Sequence, residues 1–98
     1  MIVITGSVQL RPEHLDAAIA LGIEHSRRSR AEPGCIAHNC HIDAEDPCRI
    51  VLVEEWADMA AVKQHFAVPE SGEFVRAMTA MAIAAPAMKL LDAREIKP

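Results

Sequence analysis

His38, Glu54, Trp56 and His65 are the residues of this chain whose types and placement point to chemistry. Two imidazoles can supply a base and a hydrogen-bond donor near neutral pH. A carboxylate can orient either ring or a bound molecule. Trp56, the only tryptophan, adds a large apolar wall carrying one N–H. Such a set suits acid–base work on a small molecule held in a pocket with apolar walls and a few polar groups. Each residue also has a plainer use. Trp56 can be a core anchor, His65 a helix-surface residue and His38 a satisfied strand histidine. Glu54, beside Glu55, can be a solvated strand end or can pair with Arg49 or Lys89.

The elements that must position them are readable from periodicity. Residues 2–10 alternate, with Ile2, Ile4, Val8 and Leu10 on one face, as a strand with one apolar side. Pro12 fits a first helical turn, and Leu15, Ala18, Ile19, Gly22 and Ile23 follow at helical spacing. Arg27, Arg28 and Arg30 lie near the helix C-terminus and read as dipole partners on a solvated face. His14 and His25 sit on this helix without an assigned role. Glu32-Pro33-Gly34 stops the helix and turns the chain. Residues 36–42 form a strand and 43–49 a hairpin loop with Asp46-Pro47. Residues 50–56 form the return strand, in which Ile50, Leu52, Glu54 and Trp56 share a face. Ile36, His38, Cys40 and Ile42 share a face of the strand before it.

Asp58 is an N-cap for a short helix with Met59, Val62 and Phe66 facing inward and His65 flanking them. Val68-Pro69 breaks that helix. A second piece runs over 70–84 with Phe74, Ala77, Met78, Met81 and Ala82 as its stripe, and Pro86 ends it. Residues 88–96 form the last strand. The order is β-α-β-β-α-β with the second helix broken. It predicts one α+β domain over residues 1–98: a ferredoxin-like sandwich with a four-stranded antiparallel sheet and helices on one face. A second copy of the chain is the simplest cover for the other face. The chain is 51% hydrophobic, more than one small core absorbs, and a homodimer follows as the expectation.

Several function classes fall away. A net charge of −4 argues against nucleic acid. No apolar run is long enough to span a bilayer, and MIVITGSVQL reads as a strand and not a signal peptide, so a cytoplasmic protein is expected. Cys35, His38, Cys40, His41 and Cys48 crowd into fourteen residues, but strand alternation splits them between faces and their spacing matches no common zinc pattern. Cys40 reads as a small core residue and Cys48 as a loop residue. The expectation is no metal. The four glycines are not spaced to cradle a phosphate or dinucleotide, and no pattern for flavin is present. The expectation is no organic cofactor.

The run EPGCIAHNCHIDAEDPCRIVLVEEWADMAAVKQHFAVPESGEFV resembles the core of the antibiotic-biosynthesis monooxygenase family. The matching pieces are Glu32-Pro33-Gly34-Cys35, the Asp43 to Pro47 hairpin, Val53-Glu54-Glu55-Trp56, His65-Phe66 and Phe74. The resemblance covers nearly the whole chain. It implies a dimeric α/β barrel and, in many members, cofactor-independent oxygenation of phenols, hydroquinones and related aromatics. On that resemblance His65 is the base and His38 hydrogen-bonds the substrate oxygen. Trp56, Phe66 and Phe74 line the pocket, and Glu54 orients a histidine or the substrate. The partners implied are a small aromatic substrate and O2. Haem-degrading relatives carry a first-strand asparagine where this chain has Thr5, Gly6 and Ser7. His38 stands where many relatives have tyrosine, and the chain has no tyrosine. Two other readings remain open: an isomerase of a small hydroxy-ketone, and a non-catalytic dimeric ligand-binding module.

Overall fold

The computed structural model describes residues Met1–Pro98. Strand β1 spans Ile2–Gln9, helix α1 Leu15–Arg30, β2 Cys35–Asp43, β3 Asp46–Trp56, α2 Met59–Ala67, α3 Pro69–Met81 and β4 Ala87–Asp92. The four strands form one antiparallel sheet in the order β2-β3-β1-β4, with the helices on one face. This is the expected ferredoxin-like α+β fold. No helix is long and apolar enough to cross a membrane.

The parity of the sheet follows the alternation. Ile2 pairs with Trp56, Ile4 with Glu54 and Val8 with Ile50, so one row of β1 and one row of β3 face the helices together. His38 pairs with Glu54 and Cys40 with Leu52, which brings the helix-facing row of β2 into line. A register shift between Cys35 and Ala37 takes Ile36 out of that row, and Ile36 is exposed.

Three boundaries differ from expectation. The hairpin is tighter than a loop over 43–49, because β2 reaches Asp43 and β3 starts at Asp46. Asp43 accepts a hydrogen bond from Glu45 N at 2.9 Å and pairs with Arg49 at 3.1 Å, closing the turn. Cys48 is therefore a strand residue. The last strand ends at Asp92, where its pairing with Ile2 ends. Helix α3 starts at Pro69, a favourable first position, and stops at Met81, short of Ala84.

Helix α2 is capped by Asp58, which accepts from Ala61 N at 2.9 Å. Its inner face is Ala61, Val62 and His65. Met59 and Phe66, expected inside, are 40% and 46% exposed. The reason lies in the turn after α1. Gly34 has φ 79°, and a Cβ there would come within 2.5 Å of the Ala61 Cβ. The turn docks on Ala61, which sets the rotation of α2 and carries His65 inward. On α1, Gly22 permits a similarly close approach to Cys40.

Two apolar clusters form the core. One contains Val8, Leu10, Ala18, Ile50, Phe74, Met78 and Ala82; the other contains Ile2, Ile4, Trp56, Ala61 and Val62. Glu54 sits between Leu52 and Trp56 on the helix-facing row of β3, so a buried polar layer interrupts the hydrophobic one.

Candidate functional site

That polar layer is the candidate site. It is built from α1 (His25, Ser26, Ser29), β2 (His38), β3 (Glu54, Trp56) and α2 (His65), all buried. The buried face of α1 begins with Ala18 and Gly22 and continues as His25, Ser26 and Ser29, so one helical stripe changes from apolar to polar along its length. The sheet contributes His38 opposite Glu54 by register, and α2 contributes His65 from above.

Each imidazole is held on its Nδ1. His65 Nδ1 donates to Glu32 Oε1 at 2.8 Å, which places its lone pair on Nε2. His38 Nδ1 lies 2.9 Å from Ser26 Oγ. Arg28 Nη2 donates to His25 Nδ1 at 2.7 Å, so the His25 proton sits on Nε2. Glu54 Oε1 accepts from Trp56 Nε1 at 2.9 Å and lies 3.4 Å from His38 Nε2 and 3.8 Å from His65 Nε2. The 3.4 Å contact is an ion-pair distance without hydrogen-bond geometry, and His38 Nε2 is left buried and unpartnered. The rings pack closely: His65 on Trp56 at 4.5 Å, His38 against His25 at 4.9 Å, and His25 stacked on Phe74 at 4.0 Å. One ring nitrogen from each of His25, His38 and His65 lies within 4.8 Å of the others, a spacing that could hold a metal ion, although Arg28 already occupies Nδ1 of His25.

Burial sets the charge state. Desolvation, then the neighbouring His38, His65 and Arg28, hold His25 down to about 3. Desolvation, then His65, Arg30 and Arg28, hold His38 down to about 4. Both rings are neutral at physiological pH. Burial pushes the Glu54 carboxyl up, against the Trp56 hydrogen bond that favours its charged form. A carboxyl with a raised affinity for protons beside neutral imidazoles is a natural proton store.

The site residues predicted from sequence are thus largely brought together: His38, Glu54, Trp56 and His65 form one cluster, with Phe74 one ring away. Phe66 stands at its edge, with its ring 5.8 Å from that of His65 and its outer side toward solvent. The expected pocket beside Trp56 and His65 is not an open cavity in this structure. None of the four principal cavities is lined by Trp56, His38 or His65. An apolar cavity of about 190 Å³ lies between sheet and α3. Gly6, Leu52, Phe74 and Met78 are in its wall. A second, about 200 Å³, opens on the far side of Phe74 between α1 and α3, with His25, Arg28 and Glu70 in its lining. Phe74 therefore separates the apolar cavity from the histidines.

Two further residues were missed in the sequence. His25 continues the Ala18–Gly22 stripe at helical spacing, and that was the available signal. Glu32 was read only as a helix stop; nothing local shows that it meets His65, 33 residues away. Arg28 and Arg30 are also more than dipole partners. Arg28 binds His25, and Arg30 donates to the His38 carbonyl at 2.7 Å.

Fold and cluster together define a ferredoxin-like domain with a buried cluster of three histidines and one glutamate between sheet and helices. The chain belongs to the antibiotic biosynthesis monooxygenase family, whose model matches residues 1–77. A crystal structure of an antibiotic biosynthesis monooxygenase superposes with a TM-score of 0.88 at 29% identity, over 97% of this chain and 100% of that one. A protein of Deinococcus radiodurans gives a TM-score of 0.94 at 20% identity, covering 100% of this chain and 97% of that one, a likeness of fold. An uncharacterized protein of Synechocystis sp. is 34% identical over 74 residues. That match covers 76% of this chain and 50% of the relative, so this chain aligns with about half of the longer protein.

Proposed function

We propose that this chain is a cofactor-independent monooxygenase that oxidises a small phenol or hydroquinone with O2. The observation that carries the reading is the Glu32–His65 pair. A carboxylate fixed at 2.8 Å on Nδ1 leaves Nε2 of His65 as a base directed into the buried cluster, 3.8 Å from Glu54 Oε1 and with its ring against Trp56. Family membership supports the oxygenase class over the isomerase and the plain binding module.

The chemistry needs little from the protein. Triplet O2 reacts slowly with a neutral phenol and faster with a phenolate, which gives up one electron readily. His65 takes the phenolic proton. The phenolate passes an electron to O2, and the radical pair recombines at a ring carbon as a hydroperoxide. Loss of water leaves a carbonyl: one oxygen atom enters the product and the other departs as water, with no external reductant. His38 Nε2, unpartnered at rest, hydrogen-bonds the developing charge. Glu54 holds Trp56 and accepts the proton in transit, and Trp56 and Phe74 face the substrate ring.

The apolar cavity limits the substrate. A cavity of about 150 Å³ is enough for benzene. At about 190 Å³ this one suits a single ring and is small for a fused polycycle. Rotation of Phe74 joins it to the histidines. The test is dissolved-oxygen consumption by metal-free protein with a panel of single-ring hydroquinones. Uptake above autoxidation is expected, and its absence across the panel would move the assignment to the isomerase or the binding module. Gly6→Leu should abolish ligand-induced thermal stabilisation, because a Cβ at Gly6 meets only ordinary contacts (3.6 Å to the Ala87 carbonyl) and the rest of the side chain fills the cavity. Unchanged stabilisation would place the substrate elsewhere.

The chain works as a homodimer in this reading. The sheet face away from the helices carries Val3, Val51, Val53 and Leu91, with no element over it. The accessible area is 6095 Å², against about 5,500 Å² for a compact monomer of this mass. Sedimentation should give twice the chain mass, falling toward one chain in Val53→Lys. A wild-type monomer at micromolar concentration would rule the dimer out.

A further inference from the structure

We propose that Nε2 of His38, Nε2 of His65 and a carboxylate oxygen of Glu54 form a binding site for one divalent first-row transition ion. Two imidazoles and one carboxylate are a donor set that such ions accept, with positions left open for water. The spacing is close to what an ion requires. Ligands about 2.0–2.2 Å from a common ion lie roughly 3.0–3.5 Å apart. Glu54 Oε1 already stands 3.4 Å from His38 Nε2 and 3.8 Å from His65 Nε2, and a ring nitrogen of each of the two histidines lies within 4.8 Å of the other, so closure needs the two rings to draw together around the carboxylate.

The surrounding hydrogen bonds point the same way. Metal-bound histidines commonly give their other ring nitrogen to a carboxylate or another oxygen, which fixes the tautomer. Glu32 Oε1 does this for His65 at 2.8 Å. Ser26 Oγ, 2.9 Å from His38 Nδ1, can accept its proton when the ion takes Nε2, the tautomer opposite to the one that donates to substrate, while Trp56 orients Glu54 at 2.9 Å. The second, independent observation is the orphan. His38 is 0% exposed, and its Nε2 has no hydrogen-bond partner, although it is aimed at the centre of the cluster. A buried polar nitrogen left empty costs stability that an ion would recover. His25 completes the wall. Because Arg28 occupies its Nδ1, its proton is on Nε2, and it serves as a donor to a water on the ion.

This site does not depend on the oxygenase reading. The ion takes the nitrogen that the base uses, so the two occupy His65 in turn and a bound ion inhibits the oxygenation. The experiment is a titration of chelator-treated protein with Co²⁺, without substrate. One ion per chain is expected, with saturable visible absorption and a raised melting temperature. His65→Ala should abolish the absorption, and Glu54→Gln should weaken binding at least 10-fold. His41→Ala, on the exposed outer face, should change nothing. If His65→Ala does not fold, Glu32→Gln is the second variant, with a loss of about 10–100-fold from the unfixed tautomer. No saturable absorption in the wild type overturns the proposal. So does absorption that persists in His65→Ala or, where that variant does not fold, undiminished affinity in Glu32→Gln. Since Co²⁺ uptake is read without turnover, its failure leaves the oxygenase standing, and failure of oxygen uptake leaves the ion site standing.

Discussion

His65→Ala is expected to slow oxygen consumption with a single-ring hydroquinone by ~10²–10⁴-fold, the usual span for a positioned general base. The loss should fall on turnover more than on binding, because the substrate ring is held by Phe74 and the apolar cavity. Alanine also leaves a void against Trp56, on which His65 packs at 4.5 Å. His65→Gln keeps most of that volume and removes only the base, so both variants should lose rate while the glutamine variant keeps more stability. Added imidazole should restore part of the rate in His65→Ala and little in His65→Gln, whose side chain blocks the space. Glu32→Gln should act through His65, lowering the rate less and leaving the cavity's affinity unchanged. Turnover at the wild-type rate in both His65 variants would remove the base from this residue, and His38 would be examined next.

The sequence made the frame of this site legible for a physical reason. Strand alternation has period two, so Glu54 and Trp56 had to share a face with Ile50 and Leu52, and they do. Asp58 capped its helix as expected, and Val68-Pro69 broke it. What periodicity could not give was rotation. Residues Val62, His65 and Phe66 lie within four positions, and which of them faces inward depends on what α2 packs against. The contact of Gly34 with Ala61 decided it, a tertiary fact with no local trace. The same holds for Glu32 and His65, whose pairing spans 33 positions. His25 was hidden for the opposite reason. Its spacing was right, but a buried polar stripe on a helix reads as a surface one until its partners are known. The cavity was misplaced because the rings of His38, Trp56 and His65, set close together, fill the space they were expected to line.

The cluster has a cost that should appear in acid. Between pH 8 and about pH 5 the metal-free protein is expected to lose roughly 2–4 kcal/mol of stability. His25 and His38 titrate near about 3 and about 4 when folded, and near 6.5 when unfolded. Above the unfolded value neither state binds the proton, and the contribution is fully present. Below it the unfolded chain takes up two protons that the folded chain refuses, so stability falls with pH until the folded values are reached. Glu54 opposes this. Burial raises its carboxyl, the folded state accepts a proton there more readily than the unfolded chain, and the slope is trimmed. Urea denaturation followed by Trp56 fluorescence across this range measures the balance. The midpoint should drop steadily on acidification, with a shallower drop in His25→Gln, which removes one of the two contributors. A midpoint that stays constant from pH 8 to about pH 5 would mean that burial does not hold the histidines neutral. The dry acid–base centre on which the proposed chemistry depends would then be absent. Acid sensitivity and a usable base are consequences of one feature, the burial of three imidazoles around one carboxylate.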